Sequence, residues 1–391
     1  MDRRITVAVS LIAVIVVVTS GCVITHHPGR AVDTLHMTVT GVSSFNNPIM
    51  DVSSKEVTDA GYSQGDDILM EFNGRSCTGL VIEDYGGVGT LTPFMCLDGD
   101  QVTLGVFNGD MNVLLNLRIG DEVTVTYIGH DTLVDTIPEY TCGSSDDRSD
   151  YETDADFANF YMVDTTHVHG ALYRSASPFS SSARAPYVST LLDAAGVPSM
   201  VVMNMSPESL DEYCGSHSGY AVDLALSGAV IADSITPDVI FHPEVIKRLL
   251  EEVTEQLETY GCTCVCCDMG KDRTGFLCAI LEAVAGDSYS DIRRDFQTTV
   301  NNLYGIGFET EEIETVTNIL LDRQFLMLTK VASMTPEEIL DYDWSTVDPD
   351  TFDAPAMTRE YLKGIGMTDT QLDHLAELLR ARLRTSSLFQ P

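Results

Sequence analysis

Short alternating runs of hydrophobic and polar residues fill the chain between residues 37 and 130, and this period of two predicts β-strands. Glycine, asparagine and aspartate interrupt the runs, the clearest of which are 68–72, 80–82, 101–107 and 123–127. Two of these runs follow a Gly-Asp pair, at Gly65 and Gly120, and end at another glycine. This repeated turn and strand predicts a small all-β barrel at 37–130, which we interpret as an accessory domain without chemistry of its own.

Strands and helices alternate in the second half of the chain. The continuous apolar run at 197–205 is typical of a strand covered on both faces. Apolar residues recur every three or four positions in 243–260, which predicts a helix that begins at a proline and ends before a glycine. A strand at 262–267 and an apolar helix at 274–285 follow. The alternation predicts an α/β domain at 157–385 with a parallel or mixed sheet flanked by helices.

The first 22 residues have the pattern of a targeting segment. Arg3 and Arg4 precede an apolar run at 5–18, which is shorter than the roughly 20 residues that cross a membrane. Cleavage is therefore favoured over a permanent span. The end of the segment resembles a prokaryotic lipobox, which implies that Cys22 is lipidated. We expect an exported protein with a tether at 23–36, held at the membrane only by this anchor; plain secretion and an uncleaved anchor are the alternatives.

The charge balance limits the possible partners. The chain has 59 acidic and 22 basic side chains, which gives a formal net charge of −37. Binding to a nucleic-acid backbone or to an anionic lipid surface requires clustered cations, so both partners are excluded. Residues 131–156 are acidic and irregular, and we interpret them as a solvated linker between the two domains.

The candidate chemistry lies at 267–275, CDMGKDRTG, between a predicted strand and a predicted helix. Amides of a tight loop at a helix N-terminus attract an anion, and a thiol placed there has a lowered pKa. The planar fork of Arg273 fits two phosphate oxygens at once, and Gly270 permits close backbone approach. This arrangement predicts that Cys267 attacks phosphorus while Arg273 binds the transferred group.

The segment 267–275 resembles the Cys-x5-Arg signature of protein tyrosine phosphatases, in particular a bacterial and archaeal branch whose loop reads His-Cys-x-x-Gly-Lys-Asp-Arg-Thr-Gly. Residues 170–178, GALYRSASP, resemble that family's N-terminal block, and 361–379 is similar to its closing helices. The resemblance implies the cysteine phosphatase fold over 157–385. It also implies hydrolysis through a cysteinyl-phosphate, with no metal and no cofactor.

The resemblance implies a role for each residue that matches the motif. Cys267 is the nucleophile, Arg273 binds the phosphate oxygens, and the hydroxyl of Thr274 eases departure of the thiolate. The remaining phosphate-binding positions are Asp268, Met269, Gly270, Lys271 and Asp272. A general acid must protonate the leaving oxygen, and related enzymes carry it on a separate loop upstream. Asp238 is the first candidate for that acid and Asp233 the second.

Five of the ten cysteines fall between Cys262 and Cys278, which is too crowded for a framework that joins separate loops. A metal site at Cys262, Cys264 and Cys266 is an alternative, but no histidine cluster lies nearby in the sequence, so we favour buried thiols. Cys266 stands where the resembling family has histidine. This departure could lower the reactivity of Cys267 or allow a vicinal disulfide between the two cysteines.

The sequence therefore predicts a phosphomonoester hydrolase that acts on phosphotyrosine in a protein or peptide, or on a small phosphomonoester. Two alternatives stay open. One is a phosphatase for phosphoinositides or inositol phosphates, since Lys271 and Asp272 occupy positions that the resembling branch links to such substrates. The other is a binding module in which Arg273 captures phosphate without turnover.

Overall fold

The computed structural model describes residues 31–43, 45–83, 88–130, 145–330, 334–342 and 348–381. The targeting segment, Cys22 and most of the tether lie outside these ranges, as do residues 131–144 of the linker. Within the described ranges, we find no helix with the length and apolar character needed to span a bilayer.

The N-terminal region is a closed barrel of seven strands, as predicted. The strands are β1 (Leu35–Val42), β2 (Pro48–Ser53), β3 (Asp66–Phe72), β4 (Arg75–Ile82), β5 (Pro93–Asp98), β6 (Gln101–Val106) and β7 (Glu122–His130). They pair in the order β1-β2-β6-β5-β4-β3-β7, and β1 closes the barrel on β7. Two short helices, α1 (Ser54–Asp59) and α2 (Met111–Leu114), connect strands.

The barrel interior follows the alternation seen in the sequence. In β3, Ile68, Met70 and Phe72 are buried while Glu71 faces solvent. The two Gly-Asp turns lead into β3 and β7, which are antiparallel neighbours. Both turn glycines have positive φ, 83° at Gly65 and 95° at Gly120, a conformation that glycine adopts without steric cost. The two copies of the repeated turn and strand therefore lie next to each other in the barrel.

The second region is a five-stranded sheet covered by helices. Its strands are β8 (Tyr161–Asp164), β9 (His169–Ala176), β10 (Met200–Val202), β11 (Val230–Ala232) and β12 (Thr263–Cys267). The order is β11-β10-β12-β9-β8, and only β8 is antiparallel to its neighbour. β10 is shorter than the apolar run at 197–205, because the N–H of Val197 belongs to the C-terminal turn of the preceding helix.

Helices precede, connect and follow these strands. They are α3 (Asp154–Ala158), α4 (Ala185–Ala195), α5 (Pro207–Cys214), α6 (Tyr220–Leu226), α7 (Pro243–Tyr260), α8 (Asp272–Ala285), α9 (Tyr289–Tyr304), α10 (Glu311–Thr317), α11 (Arg323–Lys330), α12 (Pro336–Leu340), α13 (Ala354–Gly364) and α14 (Asp369–Arg380). The bounds of α7 are those predicted from periodicity. α8 begins two residues earlier than predicted, so Asp272 and Arg273 lie in its first turn.

The barrel packs against the helices that follow the sheet. A π-helical turn at Asn318–Asp322 joins α10 to α11, and the carbonyl of Ile319 accepts a hydrogen bond from the N–H of Thr90 (3.2 Å). The buried guanidinium of Arg323 donates to the carbonyl of Thr90 (3.5 Å). The two regions also contribute to one hydrophobic core cluster. Each region therefore covers apolar surface of the other.

Candidate active site

The loop from Cys267 to Arg273 lies at the carboxyl end of β12, the central strand of the sheet. Cys267 is buried and pairs in register with Ala176, the last residue of β9. On the other side, the N–H of Met203 just after β10 donates to the carbonyl of Cys266 (2.9 Å). Ligand sites of open α/β sheets form at this edge, beyond the carboxyl ends of parallel strands. The fold thus places the predicted loop where such a site is expected.

Three consecutive carbonyl groups of the loop accept hydrogen bonds from partners outside it. The bonds run from Ser177 N–H to Asp268 (3.2 Å), from Asn159 Nδ2 to Met269 (3.1 Å) and from Arg174 Nη2 to Gly270 (3.2 Å). Within the described residues, the N–H groups of Met269, Gly270 and Lys271 donate to no protein acceptor. The loop is therefore held by its carbonyl groups, and its N–H groups are left for an anion at the N-terminus of α8.

Gly270 is required by its close contact with β9. Its φ is +70°, and a Cβ at this position would lie 2.4 Å from the carbonyl oxygen of Ser175. The contact is with backbone, which cannot rotate away as a side chain would. The loop can therefore approach β9 this closely only if residue 270 has no side chain.

Arg273 is fixed by the backbone around the loop. Its Nη1 donates to the carbonyl of Ile235 (2.8 Å) and to that of Met203 (3.2 Å), and its Nη2 pairs with the carboxylate of Asp268. Burial opposes its charge, but Cys267 and then Asp268 raise the pKa of Arg273 above its usual value. The guanidinium therefore stays charged close to the thiol of Cys267.

The side chain of Lys271 connects the loop to α9. Its side chain is buried, and Nζ donates to the hydroxyl of Tyr304 (2.9 Å) and lies 3.7 Å from the carboxylate of Asp272. Burial would lower the pKa of Lys271, but Asp272 and Tyr304 raise it well above its usual range. In this structure, Lys271 supplies a fixed positive charge next to the loop.

Thr274 carries a hydroxyl suited to a reacting sulfur. The residue is fully buried, and Oγ1 has no hydrogen-bond partner among the described residues. A buried polar group left in this state costs about 1–3 kcal/mol, so it is uncommon without a function. Thr274 directly follows Arg273 in the first turn of α8.

The two aspartates considered for the general acid have different surroundings. Asp233 forms an ion pair with Arg248 on α7. Asp238 has one carboxylate oxygen 3.3 Å from Nε2 of His242, and its other oxygen is buried without a hydrogen-bond partner among the described residues. Asp233 thus has an arginine partner, whereas the contact found for Asp238 is with a histidine.

The barrel brings a third carboxylate to this position. Asp110, the N-cap residue of α2, lies 3.8 Å from Nε2 of His242. The ligand-type atoms of Asp110, Asp238 and His242 all lie within 4.8 Å of one another. Sequence reasoning missed Asp110, because it belongs to the barrel and no local motif marks it. Asp110 comes close to Asp238 and His242 only because the barrel packs against the sheet region.

Cys266 points away from the site. It belongs to the hydrophobic cluster on one face of the sheet with Cys264, whereas Cys267 belongs to the cluster on the other face. Burial raises the pKa of the Cys266 thiol well above its usual value, so this thiol is neutral. Cys266 and Cys267 are not joined in a disulfide. A disulfide between Cys266 and Cys267 would require β12 to unpair, because successive strand residues face opposite sides.

Arg174 holds the loop through a hydrogen bond to its backbone. Its buried guanidinium pairs with Asp295 of α9 (2.8 Å) and donates to the carbonyl of Gly270. Glu282 is buried nearby, and burial followed by the charge of Asp295 raises its pKa well above the usual range. Arg174 is thus held in a buried structural ion pair.

We expect Arg174→Met to lower the free energy of unfolding by about 3–5 kcal/mol, the usual cost of removing one partner from a buried ion pair. Urea denaturation measures this loss. Adding Asp295→Asn should recover part of it, since no buried carboxylate then faces the methionine. A single variant as stable as the parent would contradict the role given to the pair.

Comparisons with known proteins agree with part of this assignment. Residues 207–381, less than half of the chain, match the model of a family described as the tyrosine phosphatase family. The match includes the loop from Cys267 to Arg273 and supports phosphatase activity, while the substrate stays open. No curated protein is similar enough to this chain to count as a match.

Two solved structures show weak likenesses. An uncharacterized conserved protein from Thermotoga maritima is 17% identical, with a TM-score of 0.23, over 26% of this chain and 40% of that one. The core catalytic domain of the PP-IP phosphatase SIW14 from S. cerevisiae, in complex with citrate, is also 17% identical. That match covers 44% of this chain and 92% of the yeast chain, with a TM-score of 0.25. TM-scores this low do not establish a shared fold, and nothing below depends on either structure.

Proposed function

We propose that this chain hydrolyses phosphomonoesters through a cysteinyl-phosphate formed on Cys267. The observation that carries the proposal is the loop itself, in which three carbonyl groups are bonded to outside partners and the N–H groups are left for an anion. Cys267 begins this loop and Arg273 ends it. A thiol, a fixed guanidinium and a set of backbone donors around one point suit attack on phosphorus better than any other chemistry of these groups.

The proposed reaction has two steps. The sulfur of Cys267 attacks phosphorus, and the bond from phosphorus to the leaving oxygen breaks while Asp238 gives that oxygen a proton. Arg273 and the loop N–H groups hold the three remaining oxygens throughout. In the second step water attacks the phosphorus of the cysteinyl-phosphate and gives a proton to Asp238. Thr274 then donates a hydrogen bond to the departing thiolate.

Asp238 is the proposed acid because it lines the space between the barrel and the loop and one of its carboxylate oxygens has no hydrogen-bond partner among the described residues. We expect Asp238→Asn to lower kcat for a phosphotyrosine peptide by about 10²–10³-fold, within the range of general acid catalysis. The loss should be smaller for p-nitrophenyl phosphate, whose leaving oxygen needs little protonation. Asp233→Asn is the matched control, and steady-state kinetics on both substrates decide between the two aspartates. An equal loss in the two variants, or a loss only in Asp233→Asn, would reject Asp238.

The substrate we propose is phosphotyrosine in a protein or peptide, or a small aryl phosphate. Arg273 and Lys271 are the cations at the loop, and the net charge of −37 does not attract a highly charged inositol phosphate. We also propose that the chain acts outside the cytoplasm on a lipid anchor at Cys22, for which the support is the sequence of residues 1–22.

Hydrolysis of a phosphotyrosine peptide by the reduced full chain, with EDTA present, tests the proposed function. The expected result is turnover that EDTA does not change. Turnover only of inositol phosphates would move the assignment to that substrate class. Phosphopeptide binding without turnover of any phosphomonoester would identify a binding module instead.

A further inference from the structure

A cavity of about 230 Å³ lies between the barrel and the sheet region, next to the loop. The barrel side is mainly apolar, with Phe45, Phe94, Phe107 and Met111 in its wall, and it also includes Asn46, Asn47 and Asn108. The other side consists of the segment 236–238 and Asp272. The cavity thus forms only where the two regions meet.

The cavity adjoins the position of the phosphate. The carbonyl of Ile235 accepts a hydrogen bond from Arg273, and the next three residues, 236–238, line the cavity. Asp272, which precedes Arg273 in the chain, lines it as well. The segment 235–238 therefore contacts Arg273 through its first residue and lines the cavity with the other three. A group esterified to a phosphate in the loop would extend past Asp238, the proposed acid, into this space.

The chemistry of the wall restricts what the cavity can hold. Its charged lining residues are the carboxylates of Asp238 and Asp272, and none of the lysines and arginines that the structure describes lines it. A second phosphate would meet negative charge there without a counter-ion. An apolar group would meet aromatic rings. The volume is sufficient for one ring system, since an engineered apolar cavity of about 150 Å³ binds benzene.

We propose that the barrel forms one wall of the leaving-group site and selects phosphomonoesters with an uncharged aromatic leaving group, with Phe45 as a specificity-determining residue. This inference rests on the proposed function of the same site. Phe45 suits the role because it lines the cavity and 63% of the residue is exposed, so its ring can add contact area for a ligand. The barrel is then part of substrate recognition.

Ligand binding to the full chain tests the inference separately from turnover. In a Cys267→Ser background, calorimetry would measure the affinities of 1-naphthyl phosphate and inorganic phosphate. We expect Phe45→Ala to weaken naphthyl phosphate about tenfold, as for the loss of one aromatic contact. Inorganic phosphate, which reaches only the loop, should bind unchanged. Phe45→Leu should restore part of the loss.

Ile119→Ala is the matched control, because Ile119 is an exposed apolar residue of the barrel region (69%) that does not line the cavity. It should leave both affinities unchanged. Equal affinity of naphthyl phosphate for the parent and for Phe45→Ala would overturn the inference even in an active enzyme. If the parent chain hydrolyses no phosphomonoester but Phe45→Ala still weakens binding of naphthyl phosphate, the proposed function is rejected. The inference that the barrel forms a wall of the binding site is then retained.

Discussion

Replacement of Cys267 by serine should abolish phosphomonoester hydrolysis, with kcat reduced at least about 10⁴-fold, as when other enzymes lose their nucleophile. A serine hydroxyl at its ordinary pKa is a poor nucleophile, and here it has no adjacent base among the groups described. Phosphate should still bind, because Arg273 and the loop N–H groups are unchanged. Single-turnover kinetics and calorimetry on the same preparation separate the two effects.

Cys266→Ala provides the control for this experiment. It removes the neighbouring thiol, which faces the opposite cluster of the sheet and lies away from the loop. The variant should keep most of the parent's kcat and differ mainly in stability, since it leaves a small space in a packed core. Loss of turnover in Cys266→Ala with retention in Cys267→Ser would exchange the roles of the two cysteines and contradict the proposed mechanism.

Gly270→Ala should have the second largest effect, a fall in kcat of about 10²–10³-fold, comparable to the loss of a backbone oxyanion donor. The added methyl group would lie 2.4 Å from the Ser175 carbonyl oxygen, so the loop has to move away from β9. The N–H groups then no longer converge on one point. Steady-state kinetics measure the change in rate, and Ki for inorganic phosphate should rise in parallel.

The control for Gly270 is Gly305→Ala at the C-terminal end of α9. Gly305 has nearly the same φ, +66°, but a Cβ there meets nothing within 4 Å. Both variants bear the cost of a left-handed alanine, about 1–2 kcal/mol, which thermal unfolding measures. Only Gly270→Ala should lose activity. A similar loss in both would assign the effect to global stability and not to the contact with β9.

The features predicted correctly from the sequence are those that depend on neighbouring residues. The α7 helix was predicted with its observed bounds because its apolar spacing, an initial Pro243 and a final Gly261 all agree. Four of the seven barrel strands, β3, β4, β6 and β7, were predicted individually because alternation is a local pattern. The strand at 197–205 was predicted too long, because Val197 takes part in a helix end and a run of apolar residues does not reveal this use.

The site divides in the same way. The loop from Cys267 to Arg273 is contiguous, so its residues and order were visible in the sequence. The contacts that hold it come from distant positions, such as Arg174 beneath Gly270. Asp110 is further still from the loop along the chain, and it reaches His242 only through docking of the barrel. Asp233 and Asp238 were ranked without knowledge that Arg248 pairs with the first of them.

The barrel's contact with the π-helical turn sets an order of assembly as the chain emerges N-terminus first. The last barrel strand ends at His130, and Ile319, the hydrogen-bond partner of Thr90 in the barrel region, follows 189 residues later (319 − 130). At typical synthesis rates this interval is roughly 10–40 s. Arg273 emerges before Ile319, so the segment from Cys267 to Arg273 is synthesised before this contact can form. The proposed phosphate loop is therefore made before the barrel can be fixed against the π-helical turn.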